Sequence, residues 1–122
     1  MKRSVLVVDD EPQARSMMRL ILVRAGFDVV EAKDGYQALD EVERQIPDLM
    51  ILDIMMPGID GFYVCEQLRS DEKTANLPII VLSAMTDADS VNRGKEVGAT
   101  MYLKKPVSPD DLTRHVQEVI DL

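Results

Sequence analysis

The chain has 122 residues, 46% of them hydrophobic, with 22 acidic against 14 basic side chains and a net charge of −8. That length suits one domain with its own core, and the acidic excess argues against direct nucleic-acid binding, because phosphates would be repelled. The single cysteine, Cys65, excludes an internal disulfide framework, and no apolar run is long enough to span a bilayer. A cytoplasmic protein is expected. One cysteine fits a reducing compartment, and the Met-Lys-Arg-Ser opening runs into a strand-like stretch without a signal-peptide apolar region or cleavage site.

Residues 5–8 read as a first buried strand, followed by Asp9, Asp10 and Glu11. Ala14, Met18, Ile21, Leu22 and Ala25 then recur at helical spacing, and Gly26 closes this first helix in the C′ position. Residues 28–31 form a weak second strand suited to a sheet edge. Leu39, Val42 and Ile46 mark a second helix stopped by Pro47. Residues 49–52 are a continuous aliphatic strand ending at Asp53, and Val64, Cys65 and Leu68 mark the third helix.

A fourth strand at 79–82 runs into Ser83 and Ala84. The helix after it, about 87–97, is the poorest. Val91 and Val97 are its only large apolar residues, and the interior Gly94 costs roughly 1 kcal/mol relative to alanine. It is expected to be the least stable helix. A weak fifth strand at 101–103 leads to Lys104, Lys105 and Pro106. The last helix enters through Ser108 as N-cap and Pro109 at the first helical position, with Leu112, Val116, Val119 and Ile120 as its stripe. Five strands alternating with five helices imply right-handed crossovers and a doubly wound α/β sheet with helices on both faces.

In open α/β sheets, ligands bind beyond the carboxyl ends of the strands. Asp9, Asp10, Asp53, Ser83 and one of Lys104 and Lys105 would collect there. Each has an ordinary explanation when taken alone: an aspartate after a strand can cap a helix, a serine can turn a loop, and Lys-Pro is common in surface loops. Together they do not. Carboxylates about 4 Å apart repel by roughly 1 kcal/mol in water and about 4 kcal/mol at an effective dielectric near 20. Such a cluster calls for a cation, and oxygen-only ligands suit a hard ion such as Mg²⁺.

The segments Val-Asp-Asp-Glu-Pro (8–12), Leu-Asp-Ile-Met-Met-Pro-Gly-Ile-Asp-Gly (52–61), Leu-Ser-Ala (82–84), Gly-Ala (98–99) and Tyr-Leu-Lys-Lys-Pro (102–106) resemble, in this order and spacing, the receiver domain of two-component response regulators. The likeness runs from end to end, so residues 1–122 are expected to be a single receiver domain. It implies a flavodoxin-like (βα)5 fold with strand order 2-1-3-4-5. It implies that Asp53 accepts a phosphoryl group, and that Asp9, Asp10, Asp53 and the backbone carbonyl of Met55 hold Mg²⁺, or Mn²⁺ in its place. Ser83 and Lys105 would bind the phosphoryl group, Ser83 and Tyr102 would form the switch, and the bond before Pro106 would be cis, a state found in only about 5–6% of X-Pro bonds.

The implied partners are a sensor histidine kinase or phosphotransfer protein, docking near Ala14 and Met18, and a downstream effector or an output domain. A phosphorylation-dependent dimer is a further partner state it allows; nucleic acid and membrane are not expected. The output surface would be helix 4, strand 5 and helix 5, and the protein would be a signalling acceptor with only slight catalysis of its own.

Met55 and Met85 occupy positions where this family often carries polar side chains that assist the attacking water, so a long-lived acyl phosphate is expected. Val107 stands where an aromatic is common. Lys105 is favoured over Lys104 because strand alternation separates neighbours and Lys105 adjoins Pro106. His115 reads as a boundary residue and Cys65 as a small buried hydrophobe. A haloacid-dehalogenase-type phosphatase would want an acid at Met55. A flavin-binding domain would not place Asp9, Asp10 and Glu11 in its phosphate loop. A pseudo-receiver would not need Asp10, Asp53, Ser83 and Lys105 intact.

Overall fold

The computed structural model describes residues 2–121, so the two ends of the expected 1–122 domain lie outside the described residues. Strands β1 (Ser4–Val8), β2 (Asp28–Ala32), β3 (Leu49–Leu52), β4 (Ile79–Ser83) and β5 (Met101–Lys104) alternate with helices α1 (Pro12–Arg24), α2 (Gly35–Arg44), α3 (Gly61–Ser70), α4 (Ala88–Glu96) and α5 (Pro109–Ile120). The strands form one parallel sheet in the order β2-β1-β3-β4-β5, the doubly wound order expected.

Strand alternation divides the core into two layers. Val5, Val7, Leu49, Ile51, Ile80 and Leu82 face one side and pack with Met18 and Leu22 of α1 and Leu112 and Val116 of α5. Leu6, Val8, Met50, Leu52, Ile79 and Val81 face the other and pack with Ala38 and Val42 of α2 and Phe62, Val64, Cys65 and Leu68 of α3. This is why β3 and β4 read as continuous aliphatic runs: both faces are covered. The outer strands β2 and β5 are only partly buried, as edge positions require.

Helix ends follow local chemistry. Gly26, at φ +99°, closes α1, and Ser108 Oγ accepts from the Asp111 amide at 3.1 Å to start α5. One expectation fails. Ile46 is not part of α2, which ends at Arg44. Gln45 is already extended, and Ile46, directly before Pro47, is 44% exposed. The proline ring disfavours helical geometry at the residue before it, and that steric limit outweighs the apolar spacing. Helix α4 is as thin as its sequence suggests: its buried residues are Ser90 and Gly94, and Val91 is only partly covered.

Candidate functional site

The two central strands carry the acids. Asp9 and Asp53 directly follow β1 and β3 and extend their ladders. The Asp9 amide donates to the Ala32 carbonyl at 3.1 Å, and the Asp53 amide to the Val8 carbonyl at 3.0 Å. Both carboxylates are therefore fixed on the most buried backbone in the molecule, Asp9 at 0% exposure and Asp53 at 6%. Asp10 is exposed beside them, and Asp9, Asp10 and Asp53 each bring a carboxylate oxygen within 4.8 Å of the others. Helix capping does not account for them. Glu11 occupies the N-cap of α1 without a side-chain cap, and Asp9 Oδ1 accepts from the Glu11 amide at 3.0 Å.

Lys105 closes the cluster. Its Nζ lies 2.6 Å from Asp9 Oδ2 and 3.0 Å from Asp53 Oδ2. Lys104 is exposed on β5, so Lys105 is the lysine that reaches the acids. The Lys105–Pro106 bond is cis. Burial raises the pKa of Asp53 above the ordinary carboxylate range, and the ion pair with Lys105 only partly offsets it. Burial alone would lower the Lys105 pKa, but its bonds to Asp9 and Asp53 more than reverse this, and it titrates above the usual lysine value. A half-buried lysine drawn to two carboxylates marks an anionic site short of positive charge.

Ser83, at the end of β4 with no exposed surface, accepts from the Met85 amide at 3.1 Å, which leaves its own proton free to donate. The Met55 amide donates to Asp53 Oδ1 at 3.3 Å, while its side chain is exposed. The Tyr102 hydroxyl donates to the Met85 carbonyl, burial raises its pKa, and its ring lies against Gly94, where a Cβ would come within 2.7 Å of the ring.

Three supports escaped the sequence reading. Arg15 of α1 donates to the Asp9 carbonyl at 2.8 Å and pairs with Glu31 at 3.4 Å, pinning the acidic loop to β2. Gly61 opens α3 so close to Asp53 that a Cβ there would strike the Asp53 carbonyl. Arg93 of α4 stacks over the Phe62 ring at 4.5 Å. Gly61 closes the 52–61 segment that carries the resemblance and follows a capping aspartate, Asp60, whose side chain accepts from the Tyr63 amide, but neither revealed its contact with Asp53. His115 Nδ1 has no hydrogen-bond partner and meets no metal-ligand set among the described residues. Cys65 is fully buried, and burial raises its thiol pKa.

A family profile described as response regulator receiver domain matches residues 5–117. The DNA-binding response regulator MtrA of Mycolicibacterium smegmatis is 42% identical over 117 residues, covering 96% of this chain and 50% of that protein. The alkaline phosphatase synthesis transcriptional regulatory protein PhoP of Bacillus subtilis is 38% identical over 120 residues, covering 98% of this chain and 49% of that protein. The chain thus spans about half the length of the curated relatives it matches. Among solved structures, the chemotaxis protein CheY4 of Vibrio cholerae superposes with a TM-score of 0.93 at 34% identity, covering 98% of this chain and 99% of that one. The Francisella response regulator 1452 receiver domain superposes with a TM-score of 0.91 at 31% identity, covering 98% of each chain.

Proposed function

The chain belongs to the response regulator receiver domain family, and from that premise we propose that residues 1–122 form one receiver domain in which Asp53 is the phosphoryl acceptor. The observation that carries this reading is the meeting of Asp9, Asp10, Asp53 and Lys105 at the carboxyl end of the sheet.

The donor set fits a hard divalent cation: three carboxylates in reach of one another, no sulfur or imidazole, and one acid left exposed toward solvent. Asp9, Asp10, Asp53 and the Met55 carbonyl would hold Mg²⁺, or Mn²⁺ in its place. Bound there, the ion would neutralise negative charge on the acceptor and on the incoming phosphoryl oxygens.

The transfer itself is a displacement at phosphorus. An Asp53 carboxylate oxygen attacks along the line of the breaking P–N bond of a phosphohistidine, the imidazole leaves, and an acyl phosphate forms. Lys105 moves from the carboxylate to a phosphoryl oxygen, and Ser83 donates its free proton to another. Attack of water on the acyl phosphate returns Asp53, so catalysis by the domain amounts to slow turnover of its own modification.

The donor is a sensor histidine kinase or a phosphotransfer protein. The added charge draws Ser83 and biases Tyr102, which already bridges β5, Gly94 and the Met85 carbonyl. The surface of α4, β5 and α5 then presents the state to an effector or output domain. Among the described residues no helix is long and apolar enough to cross a membrane. Separately, a phosphohistidine donor of the sensor-kinase type would meet the domain in the cytoplasm, and that is the location proposed.

Incubation with a small-molecule phosphodonor and Mg²⁺, followed by intact mass, tests the reading. Wild type should gain one phosphoryl group, less when the metal is chelated, and Asp53→Asn should gain none. Equal labelling of Asp53→Asn would reject Asp53 as the acceptor.

A further inference from the structure

The mouth of the site is lined by thioethers. Met55 and Met85 border a depression of about 490 Å³ that also contains Asp10 and Arg93. Met55 is 62% exposed, more than any other methionine among the described residues; Met17 on α1 follows at 58%. Nothing in the fold buries the Met55 side chain, yet its amide is bonded directly to Asp53 Oδ1 at 3.3 Å. An accessible, oxidisable sulfur is therefore tied by one residue's length to the acceptor carboxylate. Met56, its neighbour, also borders the depression but is buried at 9% exposure.

We propose that Met55 is an oxidation site, and that its conversion to the sulfoxide by a two-electron oxygen donor such as hydrogen peroxide shortens the life of the acyl phosphate on Asp53. This rests on the acceptor reading above. In the step, a sulfur lone pair attacks one peroxide oxygen, the O–O bond breaks and an S–O bond forms. The departing hydroxide takes up the remaining proton as water. Methionine loses two electrons and the peroxide gains them, so no further reagent is needed. The product is reversible by sulfoxide reduction, which makes the site usable as a signal rather than only a lesion.

The effect follows from polarity. A thioether is a weak hydrogen-bond acceptor, so the rim offers little to orient a water molecule beside the acyl phosphate. A sulfoxide oxygen on the same side chain is a strong acceptor. It can accept a hydrogen bond from the water that approaches from the open side and leave the water's lone pair directed at phosphorus. Met85 shares the rim, but it is only partly exposed and should react more slowly.

The test oxidises the chain with hydrogen peroxide, removes the peroxide, and then phosphorylates with a small-molecule donor and Mg²⁺. Peptide mass mapping follows the oxygen added at Met55, Met17 and Met85, and intact mass follows phosphoryl loss after the donor is removed. The Met55→Leu chain, which lacks the sulfur, is treated in parallel. Met55 should oxidise at least as fast as Met17 and faster than Met85. Decay of the oxidised wild type should be about threefold to tenfold faster, the worth of one new hydrogen bond in a transition state. Oxidised Met55→Leu should decay as its untreated form does. Unchanged decay with Met55 fully oxidised, or equal acceleration in Met55→Leu, would overturn this inference alone. Failure of the untreated wild type to take up a phosphoryl group would overturn the acceptor reading and this inference with it.

Discussion

The centre of the sheet and its β5 flank are built differently. β1, β3 and β4 are buried almost throughout, and Asp9, Asp53 and Ser83 sit at their ends with little or no exposed surface. The flank has a half-covered β5 and a helix α4 whose buried residues are Ser90 and Gly94, where α5 buries Leu112, Val116, Val119 and Ile120. A reacting carboxylate must be held to a fraction of an ångström, so it belongs on the stiffest backbone. A surface that must change in response belongs where little packing energy opposes the change. The proposed acceptor and the proposed readout are neighbours in space but opposite in how firmly they are held.

The sharpest way to break this contrast is to cut an aliphatic side chain back to alanine in each region. Ile51→Ala in β3 should cost about 2–5 kcal/mol, because the buried site cannot collapse. Val91→Ala in α4 should cost less than about 1 kcal/mol, because that side chain is only partly covered and alanine is the better helix former. Denaturant melts compare them, and equal losses would show α4 to be as firmly packed as the core.

Gly61→Ala comes next. The new methyl would meet the Asp53 carbonyl, which is backbone and cannot give way cheaply. A loss of about 1–3 kcal/mol is expected, with a drop in phosphorylation rate larger than for a surface change on α3.

Charge at the centre gives a smaller effect with a definite sign. Burial raises the Asp53 pKa in the folded state. Such a group stabilises the fold below its unfolded pKa and loses that contribution as pH rises through the folded value. Asp53→Asn carries no charge at any pH. It should therefore melt a few degrees above wild type at neutral pH, with the advantage shrinking as pH falls toward about 4, the ordinary carboxylate range. Mg²⁺ should narrow the gap by stabilising the wild type more. Thermal melts across this range, with and without Mg²⁺, check both parts.

Gly94→Ala should change stability least. Helix propensity gains roughly 1 kcal/mol, while contact with the Tyr102 ring takes back a similar amount. The visible result should be a moved tyrosine ring, read by NMR of Tyr102, with the melting temperature nearly unchanged.

The same contrast explains what the sequence revealed. β1, β3 and β4 are legible because burial on both faces demands unbroken aliphatic runs, and Asp9 and Asp53 because they follow those runs directly. β2, β4 and β5 each extend one residue further than the apolar pattern suggested, since a ladder bond at a strand end leaves no mark on side-chain choice. Ile46 misled because its spacing was right for a helix that Pro47 forbids. Lys105 was singled out through its likeness to a known family and its place beside Pro106, while strand alternation said only that it and Lys104 face opposite ways. The role of Arg15 left no mark in the sequence, and the reason for Gly61 could not be read even though the residue closes the 52–61 segment. Each acts through a contact with backbone that is distant in sequence or visible only once α3 is docked.

The acceptor assignment is tested most directly by peptide mapping of the phosphorylated chain. The account predicts that the phosphoryl group is labile to hydroxylamine, as an acyl phosphate is, and lies on the peptide containing Asp53 and at that residue. A phosphoryl group found on Asp9, Asp10 or any residue outside the cluster would contradict it.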